Sequence, residues 1–219
     1  MKKYLLFLFI IFFCKCTESN LTVHEGSNSS NGTLELVQTF GGSKNDVAKS
    51  VVSTVDGGFA VLGYTQSLDG DITDKATENY DFWMLKFNSE AQLEWNKTYG
   101  GSGDERGSSI IETSDGGYAL LGYSDSSDGD ISSNNGNRDF WLVKINASGG
   151  VSWQKSFGYE GVDEGVSIIE TSDNHLMLSG VLDVTASGGE GNQGRFSTRH
   201  AGGDYWSIKI TPTGDIVWS

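Results

Sequence analysis

Two short stretches of the chain place carboxylates where they could hold a metal. In SLDGDIT (67–73) Asp69 and Asp71 flank Gly70, and in SSDGDIS (126–132) Asp128 and Asp130 flank Gly129. Calcium draws its ligands from clustered oxygens, and carboxylates two residues apart in a glycine-bearing loop supply them. An EF-hand-type loop asks for oxygen-bearing side chains at positions one, three and five, glycine at six and a carboxylate at twelve. Counted from Asp128, Asp130 falls at three, Ser132 at five and Asp139 at twelve, but Ser133 stands at six. Counted from Asp69, Asp74 stands at six and Tyr80 at twelve, a poorer fit. Asp128, Asp130 and Asp139 are therefore the candidate calcium ligands, and the competing reading is a soluble turn. Two carboxylates about 4 Å apart repel by only about 1–4 kcal/mol near a protein surface, so the pair does not demand a cation.

Other chemistry has little to work with. His24, His175 and His200 are scattered, and no His-x-His, Cys-x-x-Cys or His-Glu-x-x-His pattern offers a zinc or iron site. No Gly-x-Ser-x-Gly elbow presents a nucleophile. Arg195, Arg199 and His200 make one local basic cluster in a long loop, where they could meet an anionic partner or a glycan. Asp81, Asp139 and Asp204 each precede a Phe-Trp or Tyr-Trp pair, and Lys86, Lys144 and Lys209 follow it. These charges could ring a pocket, but their recurrence favours structural pairs. The expectation is a protein without enzymatic activity and without a required cofactor, calcium excepted.

The elements that carry these residues repeat. DGGFAVLGYTQSLDGD (56–71) matches DGGYALLGYSDSSDGD (115–130), and YDFWMLKFNSEAQLEWNKTYGG (80–101) matches RDFWLVKINASGGVSWQKSFGY (138–159). GDYWSIKITPTGDIVWS (203–219) opens a third copy. Trp83, Trp141 and Trp206 recur in register with Trp95, Trp153 and Trp218. The second copy predicts strands over 106–114, 118–124, 139–146 and 151–157, with Asp-Gly-Gly as a hairpin turn because glycine adopts positive φ without steric cost. DFWLVKI is apolar on both faces, as a strand sandwiched between two sheets must be. Four antiparallel strands per copy, apolar on both sides, describe the blade of a β-propeller. Blades are expected over 41–99, 100–157 and 158–219, with repeats of about 58–65 residues. The recurring tryptophans should hold blade against blade. In the third copy Asp173-Asn174-His175 replaces the glycine turn, and the next loop swells over 186–203.

The unit GG…SDGGYALLGYS…DFWLVKIN…WQKSFG resembles the repeats of secreted and envelope proteins of Gram-negative bacteria, and KINASGGVSWQKSFG is similar to the Gly-x-x-x-Trp strand of quinoprotein-type propellers. Kelch-like and bulb-type-lectin names are also attached to such repeats. The resemblance covers residues 34–219 and implies fold more than function. Quinone chemistry would need a central pocket built by more blades. The mannose pattern of bulb lectins, Gln-x-Asp-x-Asn-x-Val-x-Tyr, is absent, and ETSDNHLML (170–178) departs from it.

Composition sets the compartment and the partners. The formal charge is −14, with 30 glycines, one proline and 11% aromatic residues, which suits a turn-rich all-β protein and argues against nucleic acid, whose phosphates need a basic face. Residues 1–16 read as a signal peptide: Lys2 and Lys3 precede the apolar run YLLFLFIIFF (4–13), too short to span a bilayer. Cys14 and Cys16 follow at once and are candidates for lipidation, which would tether the protein to a membrane. Residues 17–33 are Ser/Asn/Gly-rich and read as a flexible linker. LELVQTFGG (34–42) reads as the last strand of a preceding unit, with Leu36 at the tryptophan position. A propeller needs at least four blades, so three copies are expected to be an incomplete propeller, either a piece of a longer one or closed by self-association. The expected role is an exported binding or adhesion scaffold for an unidentified protein or glycan. Two alternatives stand beside it: a carbohydrate-binding module using exposed aromatics such as Tyr64 and Tyr123, and a calcium-stabilised repeat.

Overall fold

The structure is a computed structural model that describes residues 38–183 and 203–219. The signal segment, Cys14, Cys16, His24, the linker, Leu36, and Arg195, Arg199 and His200 of the long loop lie outside the described residues.

Among the described residues twelve strands follow one another: β1 (Asp46–Ser53), β2 (Phe59–Thr65), β3 (Asp81–Phe87), β4 (Leu93–Tyr99), β5 (Glu105–Glu112), β6 (Tyr118–Ser124), β7 (Asp139–Ile145), β8 (Val151–Phe157), β9 (Glu164–Glu170), β10 (Leu176–Leu182), β11 (Asp204–Ile210) and β12 (Ile216–Trp218). They form three antiparallel four-stranded sheets in simple sequential order, β1–β4, β5–β8 and β9–β12, called sheets 1, 2 and 3 below. The protein is thus all-β, and among the described residues no helix is long and apolar enough to cross a membrane. Each sheet coincides with one sequence copy. The strand expected over 34–42 is not formed in its described part, since residues 38–42 carry no strand. Phe40 instead packs edge-on against Phe87, with ring centroids 5.2 Å apart.

The first hairpin of each sheet turns in the same way despite the sequence change. Thr54 N–H bonds Gly58 O, Thr113 N–H bonds Gly117 O, and Thr171 N–H bonds His175 O. Gly57 and Gly116 hold the positive φ that the turn requires, and Asn174 takes it at +60° in the third copy. Asparagine tolerates the left-handed region better than other non-glycine residues, so the substitution keeps the turn.

Strands β3 and β7 are buried along their whole length because each lies mid-sheet with apolar residues on both faces. One core unites Ala60, Leu62, Phe82 and Met84 of sheet 1 with Ile110, Tyr118, Leu120, Trp141 and Val143 of sheet 2. A second unites Ala119, Leu121, Phe140 and Leu142 of sheet 2 with Leu176, Leu178, Ile208 and Ile210 of sheet 3. The register places each principal tryptophan opposite a glycine: Trp83 beside Gly63, Trp141 beside Gly122, Trp206 beside Gly180. Those glycines are packing requirements. A Cβ on Gly122 would stand 2.8 Å from Phe82 Cζ of the preceding sheet, and one on Gly180 2.7 Å from Phe140 Cζ.

The tryptophans do not carry equal loads. Phe82 lies against Trp141 at 4.7 Å and Phe140 against Trp206 at 5.1 Å. Trp95 and Trp153 are half-buried, and Trp218 at the edge of sheet 3 is 45% exposed. Only the row Trp83, Trp141 and Trp206 sits mid-sheet; Trp95, Trp153 and Trp218 lie on edge strands, where Trp95 still meets Tyr118 of sheet 2 with ring centroids 6.4 Å apart.

Candidate functional site

The aspartate loops fold back onto the Gly-Gly-Ser segment that enters each sheet. In sheet 1, Gly41 N–H donates to Asp71 Oδ2 (2.8 Å) and Ser43 N–H to Asp69 Oδ1 (2.7 Å). In sheet 2, Gly100 N–H donates to Asp130 Oδ2 (3.0 Å) and Ser102 N–H to Asp128 Oδ1 (2.7 Å). Two main-chain bonds, Asp71 N–H to Gly41 O and Asp130 N–H to Gly100 O, complete each clasp. The Asp-Gly-Asp spacing works because Gly70 and Gly129 adopt φ of +68° and +65°, which turns the two carboxylates onto one strip of backbone. The first copy, which fits the calcium pattern worse, makes the same clasp as the second.

The proposed ligand set is divided by this geometry. Asp128 and Asp130 face the Gly100–Ser102 segment, Ser132 Oγ accepts from Gln154 (2.7 Å), and Asp139 Oδ2 accepts Asn135 N–H (2.7 Å). Asp139 lies beside Asp163, whose charge adds to burial in raising its pKa. Among the described residues no group of three or more His, Cys, Asp or Glu side chains converges as a metal site.

A recurring acid emerged that spacing alone did not single out. Asp46, Glu105 and Asp163 open or precede the first strand of each sheet, and each accepts the N–H four residues earlier: Gly42 (2.8 Å), Gly101 (2.8 Å) and Tyr159 (2.7 Å). Glu105 also receives Ser124 and Ser126 hydroxyls at 2.7 and 2.6 Å, and Asp163 receives Asp183 N–H at 2.7 Å. Glu105 and Asp163 are fully buried, and burial pushes both carboxyls upward. The signal in the sequence was an acid four residues after Gly42 and Gly101, visible once the copies are aligned.

The recurring lysines pair with the turn aspartates rather than with the aspartates of their own strands. Lys86 reaches Asp56 (2.8 Å) and Glu94 (2.9 Å), Lys144 reaches Asp115 (2.9 Å), and Lys209 reaches Asp173 (2.7 Å). The Lys86 ammonium, with Thr54 and Gly58, holds Asp56 well below the usual carboxylate range. His175 sits in the third such turn, its Nδ1 within 3.4 Å of Asp173. These charges brace hairpins.

Tyr64 and Tyr123 are half-buried, and each already carries a cation on its ring. Arg106 lies 5.4 Å from the Tyr64 centroid and 4.2 Å from that of Tyr80, and Arg138 lies 4.7 Å from Tyr123. Sugar stacking on either ring would have to displace a guanidinium.

A concavity lies on the face of sheet 1 turned away from sheet 2. Ile72, Trp83, Leu85 and Phe87, with Phe40, Phe59, Val61 and Leu93, form a third apolar cluster. Phe40, Val47, Val61, Trp83, Leu85 and Phe87 line a depression of about 270 Å³ in it. By alignment Val61, Trp83, Leu85 and Phe87 match Leu120, Trp141, Val143 and Ile145, the residues with which sheet 2 receives sheet 1. The far face of sheet 3 is different. Ser179 and Ser207 stand there where sheet 2 has Leu121 and Leu142, and Tyr205, in place of Phe140, is 79% exposed.

Compared with known proteins, the chain matches no family model and no curated sequence.

Proposed function

We propose that this protein is a non-enzymatic, exported scaffold of β-propeller type, related to the repeats of Gram-negative envelope proteins, which binds its partner through the outer face of sheet 1. The observation that carries the reading is the chemistry of that face: it keeps, position for position, the apolar character of the surface on which one sheet of this protein accepts another, with the tryptophan unchanged. The partner it suits is a further β-sheet, presented by a second copy or by another propeller-type chain. Trp83, Leu85 and Phe87 are buried at the base of this face while Phe40, Val47 and Val61 are half-buried around the depression, so a partner would seat on the half-buried rim, and completing a propeller would extend its cover. The recurring polar groups at the loops support a structural rather than catalytic use, since they are engaged with backbone N–H groups and with each other.

Light scattering over a concentration series tests this. The mass is expected to rise with concentration in the parent protein and to stay monomeric in Val61→Glu, which places a charge in the half-buried depression. A monomer at every concentration, with Val61→Glu indistinguishable, would remove self-association from the reading. Membrane tethering is tested separately by palmitate labelling in a Gram-negative host, where label should be lost in either Cys14→Ser or Cys16→Ser. Label retained in the double variant would refute the lipid anchor. The carbohydrate reading has less support, because Arg106 and Arg138 already cover Tyr64 and Tyr123.

A further inference from the structure

The two junctions between sheets each bury a pair of carboxylates around a glycine. At the first, a Cβ on Gly100 would stand 2.6 Å from Asp81 Cγ and 2.7 Å from Glu105 Oε2. At the second, a Cβ on Gly158 would meet Asp139 Oδ1 and, at 2.8 Å, Asp163 Oδ2. The carboxylates therefore face each other across equivalent glycines.

Their compensation differs. At the first junction Lys75 Nζ lies 2.8 Å from Asp81 Oδ1, and the lysine side chain has no solvent exposure. Lys75 stands four residues after Asp71, and the residue four after Asp130 is Asn134. Asn134 turns away: its amide donates to Ser124 O (3.2 Å) and accepts from Gly136 N–H (3.0 Å). Asp139 is fully buried, and its Oδ1, the oxygen facing Asp163, has no hydrogen-bond partner. When ionised, that oxygen therefore carries buried charge that no donor among the described residues meets. An unmet buried carboxylate is costly unless paired.

We propose that Asp139 Oδ1 and Asp163 Oδ2 bind a monovalent metal cation, potassium or sodium, at the second junction, supplying there the positive charge that the Lys75 ammonium supplies beside Asp81 at the first. A single positive charge is what the reference junction supplies. Asp139 Oδ2 and both oxygens of Asp163 already accept Asn135, Tyr159 and Asp183 N–H groups, which leaves Asp139 Oδ1 as the oxygen to be met by a cation.

Thermal unfolding of the full chain, at a mildly alkaline pH where carboxylates are ionised, tests the site in potassium chloride, sodium chloride and choline chloride of equal ionic strength, choline being too large to enter. Potassium or sodium is expected to raise Tm over choline by about 3 °C, the shift that about 1 kcal/mol produces in a domain of this size. Asp139→Asn should abolish the difference. Asn134→Lys should bring the choline Tm up to the potassium value and leave no further response. Equal Tm values in all three salts would overturn the proposal. So would a potassium effect that survives in Asp139→Asn, or stabilisation by added calcium chloride alone.

Discussion

The junction between sheets 1 and 2 and the junction between sheets 2 and 3 are built from the same parts, yet they are not equally finished. Both press a phenylalanine onto a tryptophan across an obligatory glycine. Both tie hairpin ends together, with Glu112 accepting Val55 N–H and Glu170 accepting Ser114 N–H at 2.8 Å. Both link the sheets through main chain, Glu105 N–H to Tyr80 O and Asp163 N–H to Arg138 O. The first junction, however, encloses its tryptophan completely, neutralises its buried acid with a lysine and caps a turn carbonyl with a tyrosine. The second does none of these. Repetition fixes the backbone and the apolar contacts, and the polar details drift because each needs only one side chain to change.

The largest test of this contrast is at the tryptophans. Trp141 is fully buried whereas Trp206 is half-buried. Trp141→Ala is expected to cost about 4 kcal/mol, in the range for truncating a buried aromatic, and Trp206→Ala about half as much. Urea denaturation measures both. Equal losses would show that the two junctions bear the same load despite their difference in enclosure.

The lysine comes next. Replacing Lys75 by Met removes the cation from Asp81 while keeping the apolar stem, and breaking a buried pair from one side costs about 3 kcal/mol. The same substitution at Lys155, whose partner Asp215 is largely exposed, should change stability by less than about 1 kcal/mol. A loss at Lys75 no larger than at Lys155 would mean that the first junction does not depend on its lysine.

How much of this contrast could be read beforehand depends on the kind of residue. The sheets and their order were legible because glycine turns and two-faced apolar strands recur, and β5–β8 fall within one or two residues of the expected stretches. The Asp128, Asp130 and Asp139 set was not legible as a site. Twelve residues of spacing cannot say whether a loop curls around a point, and here Asp130 turns to Gly100 while Asp139 turns to Gly158. Lys75 and Asn134 occupy matching positions in variable loops, and sequence alone gave no reason to weigh one against the other. Their roles follow from a buried partner contributed by another strand.

Acid titration probes the second junction on a smaller scale. Burial raises Asp81 to about 6 against the pull of Lys75, and raises Asp139 to about 6 against only the Asn135 N–H. A carboxyl with a raised folded pKa binds more protons folded than unfolded between about 4 and 6, so its contribution to stability falls as pH rises through that window. Asp139→Asn in choline chloride should remove that fall, leaving the variant more stable than the parent above pH 6 by about 3 kcal/mol, the scale of a shift of this size, with little difference below pH 4. Comparison of parent and variant isolates this group from the many carboxylates that titrate in the opposite sense. A constant difference across the range would show that the substitution acts through packing instead.

The finest distinction is a single hydroxyl. Tyr99 is buried at the end of β4, and its Oη donates to Gly149 O at 2.8 Å, reaching the β7–β8 turn of the next sheet. Phe157 holds the same place at the second junction, where the matching turn residue is Gly214. The two turn glycines rest alike on the sheet before them: a Cβ on Gly149 would stand 3.0 Å from Trp95 Cζ3, and one on Gly214 3.2 Å from Trp153 Cζ3. Tyr99→Phe removes one buried hydrogen bond and is expected to cost about 1 kcal/mol. If the junctions superimpose at this level, Phe157→Tyr should place a hydroxyl beside Gly214 O and recover a gain of up to about 0.5 kcal/mol. If Phe157→Tyr instead destabilises, the new hydroxyl is buried without an acceptor, and the second junction differs from the first in backbone position as well as in side chains.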